Sequence, residues 1–203
     1  MIFSSSCAGC DTPGPILCRT CRFALAARPA AAGPAGVLVS APFTGRVRDV
    51  LLGFKYRNRR QVAAHLGGLV VNRVARSGAR VELVTWAPTS GRRRRQRGFD
   101  QAELIARQAA RQLGVPCRRL LERDGGGEPQ TGRGRAQRLH APAFRAHPHV
   151  PAARILLIDD VVTTGATLAA AAGALHEAGA SEVLCAAVAA TPAVSERPIL
   201  RVA

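Results

Sequence analysis

155-ILLIDDVVTTGATL-168 holds a run of four aliphatic residues, then Asp159 and Asp160 side by side, then a cluster of threonines around Gly165. The aliphatic run predicts a strand buried on both faces. The stretch from Gly165, GATLAAAAGALHEAG, predicts a helix closed by Gly179. Ligands of open parallel sheets bind beyond the carboxyl ends of the strands. Two acids at the end of the strongest strand therefore mark a site. The turn after them leaves the N–H groups around Thr164, Gly165, Ala166 and Thr167 without helical partners. Those donors suit a phosphate, with Gly165 permitting close approach and the threonine hydroxyls adding further donors. Carboxylates beside a phosphate repel it unless something stands between, and a sugar does so, its hydroxyls donating to the acids while its phosphate reaches the turn. Ribose 5-phosphate fits both halves. The plainer alternative is that acids and threonines cap the helix and meet solvent. Neither G-x-x-x-x-G-K-[ST] nor a G-x-G-x-x-G after a strand occurs.

Working outward, GVLVSAPF, VELVTW, a weaker VPCRRLL, RILLID and EVLCAAVAA read as strands. Between them, Val47, Val50, Leu51 and Phe54 recur at helical spacing, as do Val62, Leu66, Leu69, Val70 and Val74. FDQAELIARQAARQLG reads as a further helix, closed by Gly114. Continuous apolar strands alternating with helices predict an α/β fold with a parallel sheet flanked by helices. One connection breaks the rhythm. Residues 122–153 show no periodicity, carry Gly125, Gly126 and Gly127, and are made cationic by Arg133, Arg135 and Arg138. A loop of that length is a functional lid or a disordered insertion.

Cys7, Cys10, Cys18 and Cys21 form two C-x-x-C knuckles near the start of the chain. Four soft thiolates suit a tetrahedral, structural Zn2+ with no open position. Redox dithiols are the alternative, but no βαβ pattern surrounds the motif. Cys117 and Cys185 stand alone in apolar contexts, as core thiols do. The Pro/Gly/Ala-rich stretch that follows reads as a linker, so the expected organisation is a zinc knuckle over 1–27, a linker over 28–36 and the main domain over 37–203.

The 203 residues carry a formal net charge of +16, with Lys55 the only lysine among 29 basic residues. Such charge favours phosphates, nucleic acid or an anionic surface. The scattered arginines lack the interleaved aromatics of a base-stacking surface, and the Ala, Gly and Arg richness also fits a GC-rich genome. No apolar run is long enough to span a membrane, and the opening residues do not read as a secretory signal, so the expected location is cytoplasmic.

The stretch 155–168 resembles the phosphoribosyl pyrophosphate signature of type I phosphoribosyltransferases. The cysteine knuckles, FTGRVRDVLLGFKYRNRR, RRRRQRGFDQAELIA and PQTGRGRAQR resemble the ComF branch of that superfamily, which includes competence-associated proteins. The resemblance implies that Asp159 and Asp160 bind the ribose hydroxyls and act at the catalytic centre. It implies that Thr163, Thr164, Gly165, Ala166 and Thr167 hold the 5-phosphate, and that Arg92, Arg93, Arg94, Arg95 and Arg97, in the loop APTSGRRRRQRG, face pyrophosphate. Arg133 and Arg135 occupy the place of the family's flexible lid. The implied function is a glycosyltransferase reaction on phosphoribosyl pyrophosphate, assisted by Mg2+. The alternative is a non-catalytic nucleic-acid-associated protein with single-stranded DNA as partner. The chain departs from common family residues at Phe43, Asp100 and Ala141.

Overall fold

The computed structural model describes residues 6–26, 33–123 and 143–192. The elements are α1 (Arg19–Ala26), β1 (Val37–Pro42), α2 (Gly45–Tyr56), a 3-10 turn (Arg60–Val62), α3 (Ala63–Ser77), β2 (Leu83–Trp86), α4 (Gly91–Arg97), α5 (Gln101–Leu113), β3 (Leu121–Arg123), β4 (Phe144–Ala146), β5 (Arg154–Val162), α6 (Ala166–Glu177) and β6 (Glu182–Ala190).

Four strands form one sheet in the order β1-β6-β5-β2, and every pair in it is parallel. The aliphatic run of β5 serves two cores at once, because successive side chains point to opposite faces. Leu156 and Ile158 pack with Val84, Trp86 and Val188 on the face covered by α2, α3 and α5. Ile155 and Leu157 pack with Leu83 and Val162 on the other face, under Leu168 and Leu175 of α6. Each such side chain contributes roughly 1.5–3 kcal/mol when fully withdrawn from water. This is the α/β architecture the sequence pattern predicts, with helices on both faces of a parallel sheet.

Three expectations need correction. The strand expected to stop at the acids runs on to Val162, with Asp159 paired to Ala187 and Val161 to Ala189 of β6. The reason lies on the other side, where β2 ends opposite Ile158 and the chain turns away after a bond from the Ala87 N–H to the Ile158 carbonyl. Beyond Ile158 one edge of β5 is open, and polar side chains can stand there. The segment VPCRRLL supplies only a single bridge, Cys117 beside Val84, before Leu121–Arg123 pairs antiparallel with Phe144–Ala146. The stretch 122–153, read as lacking structure, therefore contributes to a two-stranded arm at both its ends. Residues 124–142, with Gly125, Gly126, Gly127, Arg133, Arg135, Arg138, His140 and Ala141, lie outside the described residues.

The cysteine segment packs on α2. Cys7, Ala8, Leu17, Cys21 and Leu25 share the apolar cluster of Val47, Val50 and Phe54. A Cβ at Gly53 would stand 1.9 Å from the Ala8 carbonyl oxygen, and one at Gly9 would stand 2.9 Å from Val50 Cγ2. Only glycine permits backbones this close. No helix among the described residues is long and apolar enough to cross a membrane.

Candidate functional site

A cleft of about 440 Å3 opens where β2 leaves β5. Its floor is the end of β5 and the turn into α6, Asp159 to Thr167. Its walls are Phe43, Lys55 and Tyr56 on one side, Pro88, Thr89, Arg93, Arg97 and Asp100 on another, and Arg123 on a third.

Asp159 and Asp160 alternate across the strand and meet different neighbours. Asp160 turns to α2, where its Oδ2 accepts from the Lys55 ammonium at 2.8 Å, with the two side chains 13% and 15% exposed. Asp159 accepts from the Asp160 backbone N–H at 2.7 Å. Burial, and then the charge of Asp160, push the Asp159 carboxyl up to about 7, against the opposing pull of Lys55. The pair is thus asymmetric, one acid paired with a cation and the other able to keep a proton near neutrality.

Gly165 begins α6 with φ 83°, and a Cβ there would stand 2.9 Å from Pro34 Cβ. The Thr164 hydroxyl accepts from the Ala166 N–H at 3.4 Å, while Thr163 and Thr164 remain exposed. The first turn of this 12-residue helix therefore presents N–H groups and hydroxyls to the same cleft as the acids.

The loop after β2 is held by Asp100. Its Oδ2 accepts from the Thr89 N–H at 2.9 Å, and its Oδ1 accepts from Ala102 at 3.1 Å and Glu103 at 3.4 Å, capping α5. Burial raises its pKa despite these donors. Serving two segments occupies both oxygens, which an asparagine could not match with its single acceptor. The basic run inside the loop forms α4, a short helix capped by Ser90, which accepts from the Arg93 N–H at 3.4 Å. Its register divides the arginines. Arg93 and Arg97 line the cleft, whereas Arg92 is exposed and outside its lining. Arg94 instead faces a neighbouring hollow of about 360 Å3, which shares Thr89, Asp100 and Arg123 with the cleft and is walled further by Arg107 and Arg119.

Arg97 binds two cleft residues together. It donates to Gln101 Oε1 at 3.0 Å and to the Tyr56 hydroxyl at 3.1 Å, its guanidinium carbon 5.0 Å from the Tyr56 ring centroid. Tyr56 is nevertheless 65% exposed at the mouth.

Of the residues singled out from sequence, Asp159, Asp160, Thr163, Thr164, Gly165, Ala166, Thr167, Arg93 and Arg97 converge on one cleft. Arg92, Arg94 and Arg95 do not join them, and Arg133 and Arg135 lie outside the described residues. Sequence reasoning missed Lys55, Tyr56, Arg123 and the structural part of Asp100. Lys55 did carry a signal, as the one lysine of a chain that otherwise uses arginine.

The four cysteines form a second candidate centre. Their sulfurs all lie within 4.8 Å of one another, Cys10 and Cys18 at 3.7 Å. A tetrahedral ion with metal–sulfur bonds of about 2.3 Å sets its sulfurs roughly 3.8 Å apart, so the set fits a metal ion. The Cys18 N–H donates to Cys7 Sγ at 3.4 Å and the Cys21 N–H to Cys18 Sγ at 3.5 Å. Donation from Thr12 lowers the Cys10 thiol to about 6. Cys117 and Cys185 behave otherwise, burial pushing both up to about 11, as expected of core thiols.

Comparison with known proteins bears on the second half of the chain. Residues 100–200 match the phosphoribosyl transferase domain family. A curated adenine phosphoribosyltransferase of Nitrosospira multiformis is 37% identical over 105 residues, 50% of this chain and 57% of that protein. The chain thus spans little more than half the length of this relative. Among solved structures, glutamine phosphoribosylpyrophosphate amidotransferase from B. subtilis is similar with a TM-score of 0.45 at 22% identity, over 62% of this chain and 25% of that one. Adenine phosphoribosyltransferase from Leishmania tarentolae gives 0.45 at 16%, over 79% and 80%. The matched segment begins at Asp100, so the cysteines and Lys55 lie outside it.

Proposed function

From a chain whose second half carries a phosphoribosyl transferase domain, we propose a protein that binds phosphoribosyl pyrophosphate in this cleft and transfers its phosphoribosyl group, releasing pyrophosphate. The observation that supports it most is the continuity of Asp159 and Asp160 with the Thr163–Thr167 turn along one cleft floor. The ribose hydroxyls donate to the two acids. The 5-phosphate sits against the N–H groups opening α6, with the threonine hydroxyls around it. The pyrophosphate lies toward Arg93, Arg97 and Arg123, whose charge stabilises the leaving group as it develops.

The bond from the anomeric carbon to the pyrophosphate oxygen breaks, its electron pair leaving with pyrophosphate, and the lone pair of the acceptor forms the new bond. The transition state has oxocarbenium character, as in other glycosyl transfers. Asp159, poised near neutrality, is suited to take the proton that the acceptor loses. Magnesium held with the substrate beside Asp159 and Asp160 would supply further charge neutralisation. The knuckle holds zinc in a structural role, and clustered cysteines serving as metal ligands suit a reducing, cytoplasmic setting. The cysteines and the α2 arm, outside the matched segment, support the finer ComF-like reading.

Calorimetric titration of phosphoribosyl pyrophosphate with magnesium tests the proposal. Binding that disappears in Asp159→Asn/Asp160→Asn supports it. Absence of binding to the wild type, or equal binding to the double variant, refutes it. A second reading, single-stranded DNA binding, is favoured by the exposed Arg92, Arg94 and Arg95 on α4. It requires an affinity that falls steeply with salt.

A further inference from the structure

The turn that ends α2 touches both centres. Lys55 pairs with Asp160, and Tyr56 stands at the cleft mouth under Arg97. One residue on, the Arg57 guanidinium donates to the Ala8 carbonyl at 2.6 Å and reaches the Gly9 carbonyl at 3.5 Å, the two residues between Cys7 and Cys10. Asn58 reverses the chain with φ 54°. Arg59 then donates to Asp11 Oδ1 at 2.8 Å and to the Ser6 hydroxyl, bracketing the first knuckle from its outer side. Arg60 donates to Asn58 Oδ1 at 2.7 Å and lies 4.5 Å over the Phe99 ring. Behind these side chains the backbones of Gly53 and Ala8 are in contact.

Within five consecutive residues Lys55 and Tyr56 thus face the cleft while Arg57 and Arg59 hold the knuckle, and the link is short and charged. The knuckle carbonyls that Arg57 reads belong to a loop whose shape is set by bringing Cys7 and Cys10 to one ion. We infer that metal loading of the four cysteines positions Lys55 and Tyr56 in the cleft, with Arg57 as the positioning residue that transmits it. With the knuckle closed on its ion, the Ala8 and Gly9 carbonyls face Arg57 and fix the last turn of α2. Without the ion the loop is released, Arg57 loses its two knuckle acceptors and keeps only the Asp49 carbonyl at 3.5 Å on its own helix, and that turn is freed. The inference rests on the metal reading of the cysteines and is independent of which ligand the cleft takes.

The chain has one tyrosine and one tryptophan, so the two ends of the question can be read separately. Full-length protein labelled with fluorotyrosine gives a single 19F resonance, from Tyr56, while tryptophan emission reports Trp86 in the sheet. Zinc added to chelator-stripped, reduced protein is expected to shift and sharpen the Tyr56 resonance, saturating at one ion per chain with Trp86 emission constant. Zinc-loaded Arg57→Ala is expected to show the resonance displaced toward the metal-free position although zinc content stays at one per chain. Arg57→Lys, which restores a donor to the Ala8 carbonyl, returns it at least halfway. A resonance indifferent to zinc overturns the inference, as does Arg57→Ala with bound zinc and an unshifted resonance. If stripping the metal also moves Trp86 emission, the comparison of Arg57→Ala with wild type at full zinc decides alone. Should Arg57→Ala not fold, zinc-loaded Arg59→Ala, which cuts the contact with Asp11, is expected to displace the resonance in the same direction, and no displacement refutes the coupling.

Discussion

The Lys55 ammonium lies 2.8 Å from Asp160 Oδ2, in a pair of which little is left to solvent. Removing one partner strands a charge that burial has already made expensive. Loss of one member of a buried pair costs roughly 3–5 kcal/mol, and the remaining solvent access here places the expected loss for Lys55→Met near about 3 kcal/mol in urea unfolding. Adding Asp160→Asn to Lys55→Met should restore most of it, because the stranded charge is then gone. Additive losses in the double-mutant cycle would show that the contact carries no coupling.

Asp159 gives the pH dependence a sign. Its folded-state pKa of about 7 is above the ordinary 3.8, because burial and the neighbouring Asp160 disfavour the anion. The native state therefore binds the proton more tightly than the unfolded chain. The stabilisation is fully present below the unfolded value and is lost as pH rises through about 7. Asp159→Asn should flatten this slope and leave the protein more stable than wild type at pH values above 7, measured as urea midpoints across the range. A wild-type midpoint that rises over the same interval, or an unchanged slope in the variant, contradicts the assignment.

Asp100 joins the loop after β2 to α5 through three backbone N–H groups. Asp100→Ala removes a helix cap and orphans the Thr89 N–H, together about 3 kcal/mol. Asp100→Asn keeps an acceptor for one segment only, and it relieves the burial of a charge. Its expected cost is about 1 kcal/mol. Hydrogen exchange separates the two effects, since the Thr89 amide should quicken in both variants and the Ala102 and Glu103 amides in the alanine form alone. Equal stability of the alanine and asparagine forms would count against the two-sided role.

What could be read in the sequence follows from how far apart the contributing residues lie. The acids, the threonine turn and the opening of α6 are contiguous, and local rules for strand, turn and helix suffice to assemble them. The division of the α4 arginines follows from a seven-residue helix that a run of identical charges cannot announce by periodicity. Lys55, Arg123 and the Thr89 contact of Asp100 depend on elements brought together only by the sheet order β1-β6-β5-β2, which places α2 and the β3–β4 arm beside β5. The extension of β5 past Ile158 was hidden for the same reason, because it depends on where its neighbour β2 stops. Composition did mark Lys55 as singular, but singularity alone assigns no partner.

Gly53 reverses the sign that helix propensity alone would give. In the interior of α2, alanine is favoured over glycine by roughly 1 kcal/mol. Here the new Cβ would meet the Ala8 carbonyl oxygen at 1.9 Å, a backbone atom that no rotamer change can move aside. Nor can the knuckle simply lift, since Cys7, Ala8 and Cys21 share a core with Val50 and Phe54 on the same helix. Overpacking of this kind costs about 1–3 kcal/mol or more, which outweighs the propensity gain. Gly53→Ala is therefore expected to lower the urea midpoint and to weaken zinc retention against a competing chelator. The sheet should report less change than the knuckle, read as Trp86 emission against zinc release. A variant that gains stability and holds zinc as tightly as wild type would mean that the knuckle and α2 are not packed this closely.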